Sequence, residues 1–195
     1  GELMLTVLSS FAQEESKNTS ENLKWRYRRK FEEGKVAINT TRFMGYDKNK
    51  QGELVVNPEQ AEIVRRIFRD YVGGKGSFVI AKALNAEGVS TVAGGEWHST
   101  TVLGIIKNEK YKGDAKLQKT YSKDYLSKKT CINRGEFKSF YIENNHMPIV
   151  SREIWNEAQE LTRQRAENKG NRKGREVLYQ NRYPLTGKLL CSKCG

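Results

Sequence analysis

Cysteine, proline and histidine are scarce in this chain, and each scarcity excludes something. Three cysteines in 195 residues make no disulfide framework. Cys131 stands alone in a polar stretch, and Cys191 and Cys194 form a C-x-x-C; the odd count and this spacing suit a reducing cytosol. Of the two histidines, His98 lies beside Trp97 with no pair of carboxylates or of cysteines near it in sequence, which is poor ground for a metal ligand or a general base. No apolar run approaches the roughly 18 residues that span a bilayer. The apolar patch near the N-terminus runs into Glu14 and Glu15, not into a signal-peptide cleavage site. Clustered carboxylates are missing too. Glu14-Glu15 and Glu32-Glu33 sit among basic residues on helix faces, which disfavours a self-contained metal-dependent nuclease or hydrolase.

What the chain has is positive charge. Lysine and arginine number 35 against 23 acids, a net charge of +12. Residues 1–99 hold 15 basic and 13 acidic side chains, and residues 100–195 hold 20 and 10. Such a field draws a polyanion, most commonly nucleic acid. An anionic membrane surface competes, but no strongly apolar helix face accompanies the basic half. Apolar residues make up only 36% of the chain, so the core is modest and the solvated segments are long.

Residues 2–33 contain neither glycine nor proline, which predicts one long helix ending at Gly34. Leu5, Leu8, Phe11 and Ala12 give its first half an apolar stripe that needs a partner surface. Its second half crowds Lys24, Arg26, Arg28, Arg29 and Lys30 around Trp25, Tyr27 and Phe31. A charge run is usually a solvated face; here no acid lies between Lys24 and Lys30, which favours phosphate contacts. An extended segment, 35–41, follows. A strand pair, 42–46 and 54–56, flanks a turn rich in turn formers. Asn57-Pro58-Glu59-Gln60 opens a helix with a capping asparagine, proline at the first position and glutamine three on. Ala61, Val64, Ile67, Phe68 and Tyr71 form its core face, and Gly73-Gly74 ends it.

The stretch 77–113 carries the clearest functional pattern. A short helix from Ser77, its expected cap, puts Ile80, Ala81 and Leu84 on one face, and Gly88 stops it. A second helix, from Ser99 to Lys107, is capped by Ser99 or Thr100, buries Val102, Ile105 and Ile106, and offers Thr101 and Lys107 outward. Trp97 staples its start to the core. A helix, a connection and a second helix with small polar residues at its start is how a helix-turn-helix enters a major groove. The connection from Gly88 to His98 is longer than usual for that motif, and two plain core helices are the competing reading.

Strands at 114–118 and 137–142 enclose a polar, basic loop, 119–134. Ser151 caps a helix with Ile154, Trp155, Ala158 and Leu161 inward, and the apolar pattern fades from Arg163 into a basic linker. The whole reads as an α+β, helix-rich fold: a long N-terminal helix, then a small mixed domain with a helix-turn-helix-like pair and short strands. The final Leu185-Thr186-Gly187 to Cys191-Ser192-Lys193-Cys194-Gly195 is a strand running into one half of a zinc knuckle. A structural zinc takes four ligands, so a second cysteine pair is expected beyond residue 195.

These residues, taken in order, resemble the large serine recombinases, the integrases and transposases of phages and mobile elements. The resemblance is carried by Leu5 to Ser16, Gly45-Tyr46, Val56 to Ala61 with Ile63-Val64 and Ile67-Phe68, Ala81 to Asn85 with Gly88, Trp97, Ile106-Lys107-Asn108 with Tyr111 and Gly113, and the C-terminal Cys191-to-Gly195 segment. It implies a linker and dimerisation helix over 1–34 leaving a catalytic domain that this sequence lacks. A recombinase domain would follow over 35–162, then a basic linker over 163–182 and the start of a zinc ribbon over 183–195. It implies double-stranded DNA of an attachment half-site as partner, self-association through the first helix, a place in the cytoplasm on the nucleoid, and a structural zinc in the full-length protein but no cofactor here. The segment 35–42 would follow the minor groove. Phosphate contacts would come from Arg26, Arg28, Arg29, Lys30, Lys35, Arg42, Lys110 and Lys112, and base contacts from His98, Ser99, Thr100, Thr101 and Lys107. Chemistry in the family comes from a serine of the catalytic domain; none of Ser9, Ser10 and Ser16 is assigned that role. A helix-turn-helix and zinc-ribbon regulator of DNA or RNA, without strand exchange, is the alternative.

Overall fold

The computed structural model describes residues 1–33, 38–123 and 129–168. Helix α1 (Glu2–Glu32) is the expected breaker-free helix, and none of its residues is buried. Its C-terminal half leans on the rest of the chain through rings: Phe31 lies 6.5 Å from Phe140 and the Arg28 guanidinium 5.0 Å over Phe137. The α+β, helix-rich expectation holds.

A hairpin follows. Strand β1 (Tyr46–Lys48) pairs antiparallel with β2 (Leu54–Val56), Tyr46 opposite Val56. The first strand starts later than the sequence suggests, because Phe43 and Met44 are buried core residues and their segment turns instead of pairing. Helix α2 (Pro58–Val72) begins as its sequence requires, with the Asn57 side chain accepting from the Gln60 amide at 3.2 Å. The glutamine does not close a reciprocal capping box. Its Oε1 accepts from the Gly45 amide at 2.9 Å, tying the helix start to the hairpin.

Helices α3 (Ser77–Ala86) and α4 (Ser99–Ile106) pack on each other and on α2. Both starts differ from expectation. Gly76 and His98 occupy the cap positions and neither helix has a side-chain cap. Ser77, Ser99 and Thr100 already lie inside the first turns, where their hydroxyls no longer meet the amides a cap would bind. The core joins Val64, Ile67, Phe68 and Tyr71 of α2 to Ile80 and Leu84 of α3 and to Val102 and Ile106 of α4. Each such buried apolar side chain contributes about 1.5–3 kcal/mol.

A 3-10 turn, Glu109–Lys112, then leads into β3 (Ala115–Leu117), which pairs with β6 (Phe140–Ile142). Gly113 makes that corner possible. Its φ is +90°, and a Cβ there would sit 2.8 Å from the His146 carbonyl oxygen. Gly45 is similar: its φ is +91°, and a Cβ would meet the Ile149 side chain at 2.5 Å. The stretch read as a loop, 119–134, holds a second hairpin, β4 (Thr120–Ser122) with β5 (Thr130–Ile132). Asn133 secures it. Its amide donates to the Gln118 and Phe137 carbonyls at 2.8 and 2.7 Å, and its Oδ1 accepts from the Gly135 and Phe137 amides.

Helix α5 (Arg152–Asn168) crosses α2 and extends into the stretch expected to be linker. Ser151 caps it, accepting from the Ile154 amide at 3.4 Å. Ala158 is buried, but Ile154 is exposed, contrary to its expected inward place, because Trp155 and Leu161 supply the packing instead. Arg165 explains the helix's extra length. Its guanidinium stacks over Tyr71 at 4.4 Å and donates to the Gly74 and Lys75 carbonyls at 2.8 and 3.1 Å, covering the C-terminal end of α2. The segment 34–37 and residues 169–195, with the expected zinc knuckle, lie outside the described residues.

Candidate nucleic-acid interface

The start of α4 is held by one side chain the sequence did not single out for a role. Asn85, in the last turn of α3, accepts from the Trp97 amide at 2.7 Å and donates to the Trp97 carbonyl at 2.9 Å. The Trp97 ring is buried and its indole N–H donates to the Val89 carbonyl at 2.9 Å. A residue grasped at both backbone groups and at its ring cannot rotate, so the helix that follows has a fixed origin and direction. The sequence signal for this was a carboxamide in an otherwise apolar turn, followed twelve positions on by a tryptophan, a separation that hides it from local pattern reading.

With Val102, Ile105 and Ile106 inward, α4 turns the other way Thr100, Thr101, Gly104 and Lys107, all exposed; His98 just ahead of it is exposed and Ser99 half-buried. Gly104 costs helix stability, about 0.5–1 kcal/mol against alanine. Nothing lies within 4 Å of where its Cβ would stand, so it leaves a low spot where another surface can approach the helix backbone.

Two clefts flank this helix start. One, of ≈ 510 Å³, is lined by His98, Ser99 and Thr100 with Phe78, Lys82 and Glu96. The other, of ≈ 260 Å³, brings Thr101 together with Arg42, Glu96 and the Trp97 ring. Arg42 also lines a third, of ≈ 490 Å³, with Lys110, Asn39, Thr41 and Asn108. The structure therefore groups His98, Ser99, Thr100, Thr101, Arg42 and Lys110 along connected concave ground.

The remaining expected cations divide. Lys110 is partly enclosed; burial pushes its ammonium below the ordinary lysine value, Lys119 nearby adds to this, and Glu109 opposes it. Lys112 faces inward, contrary to expectation. Its ammonium is 3.3 Å from Asp114 and 4.2 Å over the Trp155 ring, and only 11% of the side chain is exposed. Asp114 is fully buried and draws the lysine in, together with Arg152 at 2.6 Å and the Tyr141 hydroxyl at 2.5 Å. On α1, Arg26 and Lys30 are exposed, Arg29 pairs with Glu33 at 3.5 Å and lies over Trp25, and Arg28 is engaged with Phe137. Lys35, Cys191 and Cys194 lie outside the described residues. Among the described residues no group of His, Cys, Asp and Glu is placed to hold a metal, and no helix is long and apolar enough to cross a membrane.

The elements from α2 through the clamp and α4 to Arg165 coincide with a family model: the one described as Recombinase matches residues 58–165. The chain belongs to the Recombinase family. The matched segment opens at the first residue of α2 and closes at the arginine that covers the other end of α2; Ile38, Phe43, Met44 and Tyr46, ahead of it, share the same core. No curated protein matches the chain. A crystal structure of an LSR–DNA complex is similar at 19% identity and a TM-score of 0.48, over 70% of this chain and 36% of that one. A structure from work on the sequence requirements of the Listeria innocua prophage attP site is similar at 19% and 0.48, over 71% and 49%. This recombinase-family chain thus spans between about a third and a half of the length of those chains.

Proposed function

We propose that this chain is the DNA-binding portion of a site-specific serine recombinase that recognises double-stranded attachment-site DNA for integration, excision or transposition of a mobile element. The observation that carries the reading is the start of α4, fixed by the Asn85–Trp97 clamp with its polar face outward, in a chain of the Recombinase family. An α-helix fits the major groove, and its N-terminal residues meet base edges. His98, Ser99, Thr100, Thr101 and Lys107 are the proposed base readers. Arg42 and Lys110 are proposed to hold phosphates beside them, and Arg26, Arg28, Arg29, Lys30 and Lys35 phosphates farther along the duplex. Lys112 is omitted, since Asp114 holds its charge. Strand exchange would use a serine outside this chain, whose oxygen attacks a phosphodiester phosphorus, breaks one P–O ester bond to release a deoxyribose hydroxyl, and conserves the bond energy in a phosphoserine. Cys191 and Cys194 would supply two of four thiolates to a structural zinc.

The test is binding to a candidate attachment half-site and to a scrambled duplex of equal length across a salt series. Both should weaken steeply with salt, and the half-site should bind at least roughly a thousandfold tighter. Thr101→Ala should cost about 1–3 kcal/mol on the half-site and relax specificity there. If it moves neither affinity nor specificity, α4 is not the reading helix.

A further inference from the structure

Glu96 is an acid in the wrong place for a surface that meets a polyanion. It lines both clefts that flank the start of α4, and so stands on the ridge between His98, Ser99 and Thr100 on one side and Arg42 and Thr101 on the other. Four acids around the core are neutralised: Glu87 by Arg66, Asp70 by Lys75 at 2.9 Å, Glu109 by Lys119 at 2.7 Å, and Asp114 by Arg152 at 2.6 Å. Glu96 is exposed and makes no hydrogen bond or ion pair among the described residues. Arg42 and Lys82 line the clefts on either side of it, yet neither reaches it within ion-pairing distance.

Its backbone is nevertheless fixed. Ahead of it, a closed turn runs from Thr91 to Gly95, with the Thr91 amide donating to the Gly95 carbonyl at 3.1 Å and the Gly94 amide to the Thr91 carbonyl at 2.8 Å. Behind it, Trp97 is clamped at both backbone groups by Asn85. A carboxylate held this way, desolvated and unpaired against phosphates, would only weaken binding. A carboxylate offered to a base edge does something else. In the major groove the exocyclic amine of cytosine is a donor that a glutamate oxygen accepts, while thymine presents a carbonyl at the same position and repels it.

We propose that Glu96 reads a cytosine amine in the major groove, and that its charge at the same time penalises DNA on which no such amine is presented. This rests on the DNA-reading function proposed above. It makes Glu96 a specificity residue whose two effects have opposite sign: attraction where an amine meets the carboxylate, repulsion where a carbonyl or a phosphate does.

The experiment uses the whole chain and a duplex recovered by selection on it from a pool with a randomised core, with a scrambled duplex as reference. Glu96→Ala should bind the selected duplex roughly tenfold more weakly and the scrambled duplex a few-fold more tightly. One C·G pair of the selected duplex should matter to the parent protein, with T·A there costing it roughly tenfold, and should cease to matter to Glu96→Ala. Because the side chain is exposed and unbonded, thermal melting should be the same for both proteins. If both duplexes gain by the same factor, Glu96 faces phosphates and reads no base, and the proposal is wrong. If neither changes, Glu96 lies off the DNA, and it is wrong again while the recombinase reading stands. If selection yields no preferred sequence, the DNA-reading function itself falls, and this proposal with it.

Discussion

Asp114 shows what a buried carboxylate needs and what it gives in return. It is fully buried, where desolvation alone would raise its pKa. The Tyr141 hydroxyl, the Asn144 amide, Arg152 and Lys112 outweigh that and bring it down from 3.8 to about 2. A carboxyl depressed in the folded state stabilises that state above its unfolded pKa, and the stabilisation is lost as pH falls through the folded value. The window is therefore between about pH 4 and pH 2, and the amount about 2 kcal/mol. Urea unfolding across that window should show stability dropping in the parent. Asp114→Asn should be about 3 kcal/mol less stable at pH 7, since Arg152 and Lys112 lose their partner, and its stability should change less between pH 4 and pH 2. Equal pH slopes in the two proteins would remove Asp114 from the account. None of this was legible in the sequence, because Arg152 is 38 positions away. The same holds for the family motif residues. Tyr46, Asn85, Tyr111 and Gly113 stood out by resemblance. Their work is internal: the Tyr46 hydroxyl donates to the Met147 carbonyl at 2.8 Å, and that of Tyr111 to the Met44 carbonyl at 3.1 Å. They build the scaffold, and the residues that face outward on α4 are chemically ordinary.

Helices were legible where strands were not, and the reason is the length of the pattern. Helix α2 has a cap, a proline, a periodic apolar face and a glycine stop within one stretch, so every signal points the same way. The β4–β5 hairpin has strands of three residues, with Thr120, Ser122, Thr130 and Ile132 exposed. Three residues do not establish a period of two, and a polar basic sequence reads as loop. What orders the hairpin is Asn133, which closes its base with four hydrogen bonds to backbone groups of Gln118, Gly135 and Phe137. Replacing it leaves the half-buried Gln118 and Phe137 groups without that partner, each worth about 1 kcal/mol, while the Gly135 amide is exposed and turns to water. Asn133→Ala should speed amide exchange in 119–123 and 129–137 and leave α2 and α4 protected. Uniform loss of protection across the domain would mean the hairpin is part of the core's cooperative unit. The hairpin also supports the base of α1, through Phe137 beneath Arg28, so exchange in 24–32 should quicken with it.

At the scale of the whole molecule, two forces act on α1 in opposite directions. Its first half leaves Leu5, Leu8 and Phe11 exposed, at 69%, 57% and 66%. Three large apolar side chains on one stripe favour pairing with a second copy, the self-association that the sequence resemblance leads one to expect. The chain's +12 charge opposes it, because two copies repel. Salt separates these forces. At about 0.1 M the Debye length is about 10 Å and it shortens as salt rises, so repulsion between copies fades while the apolar gain is kept. Self-association through the stripe should therefore strengthen from about 0.1 to 0.5 M salt, over the same range in which DNA binding weakens by counterion release. Sedimentation velocity across that series should show a growing dimer fraction in the parent and none in Leu8→Glu. Half-site affinity at a concentration where the parent is monomeric should be unchanged by that substitution, since Leu8 lies on the part of α1 away from the basic half. A dimer that dissociates as salt rises would place the contact on charged groups, and the stripe would lose its role.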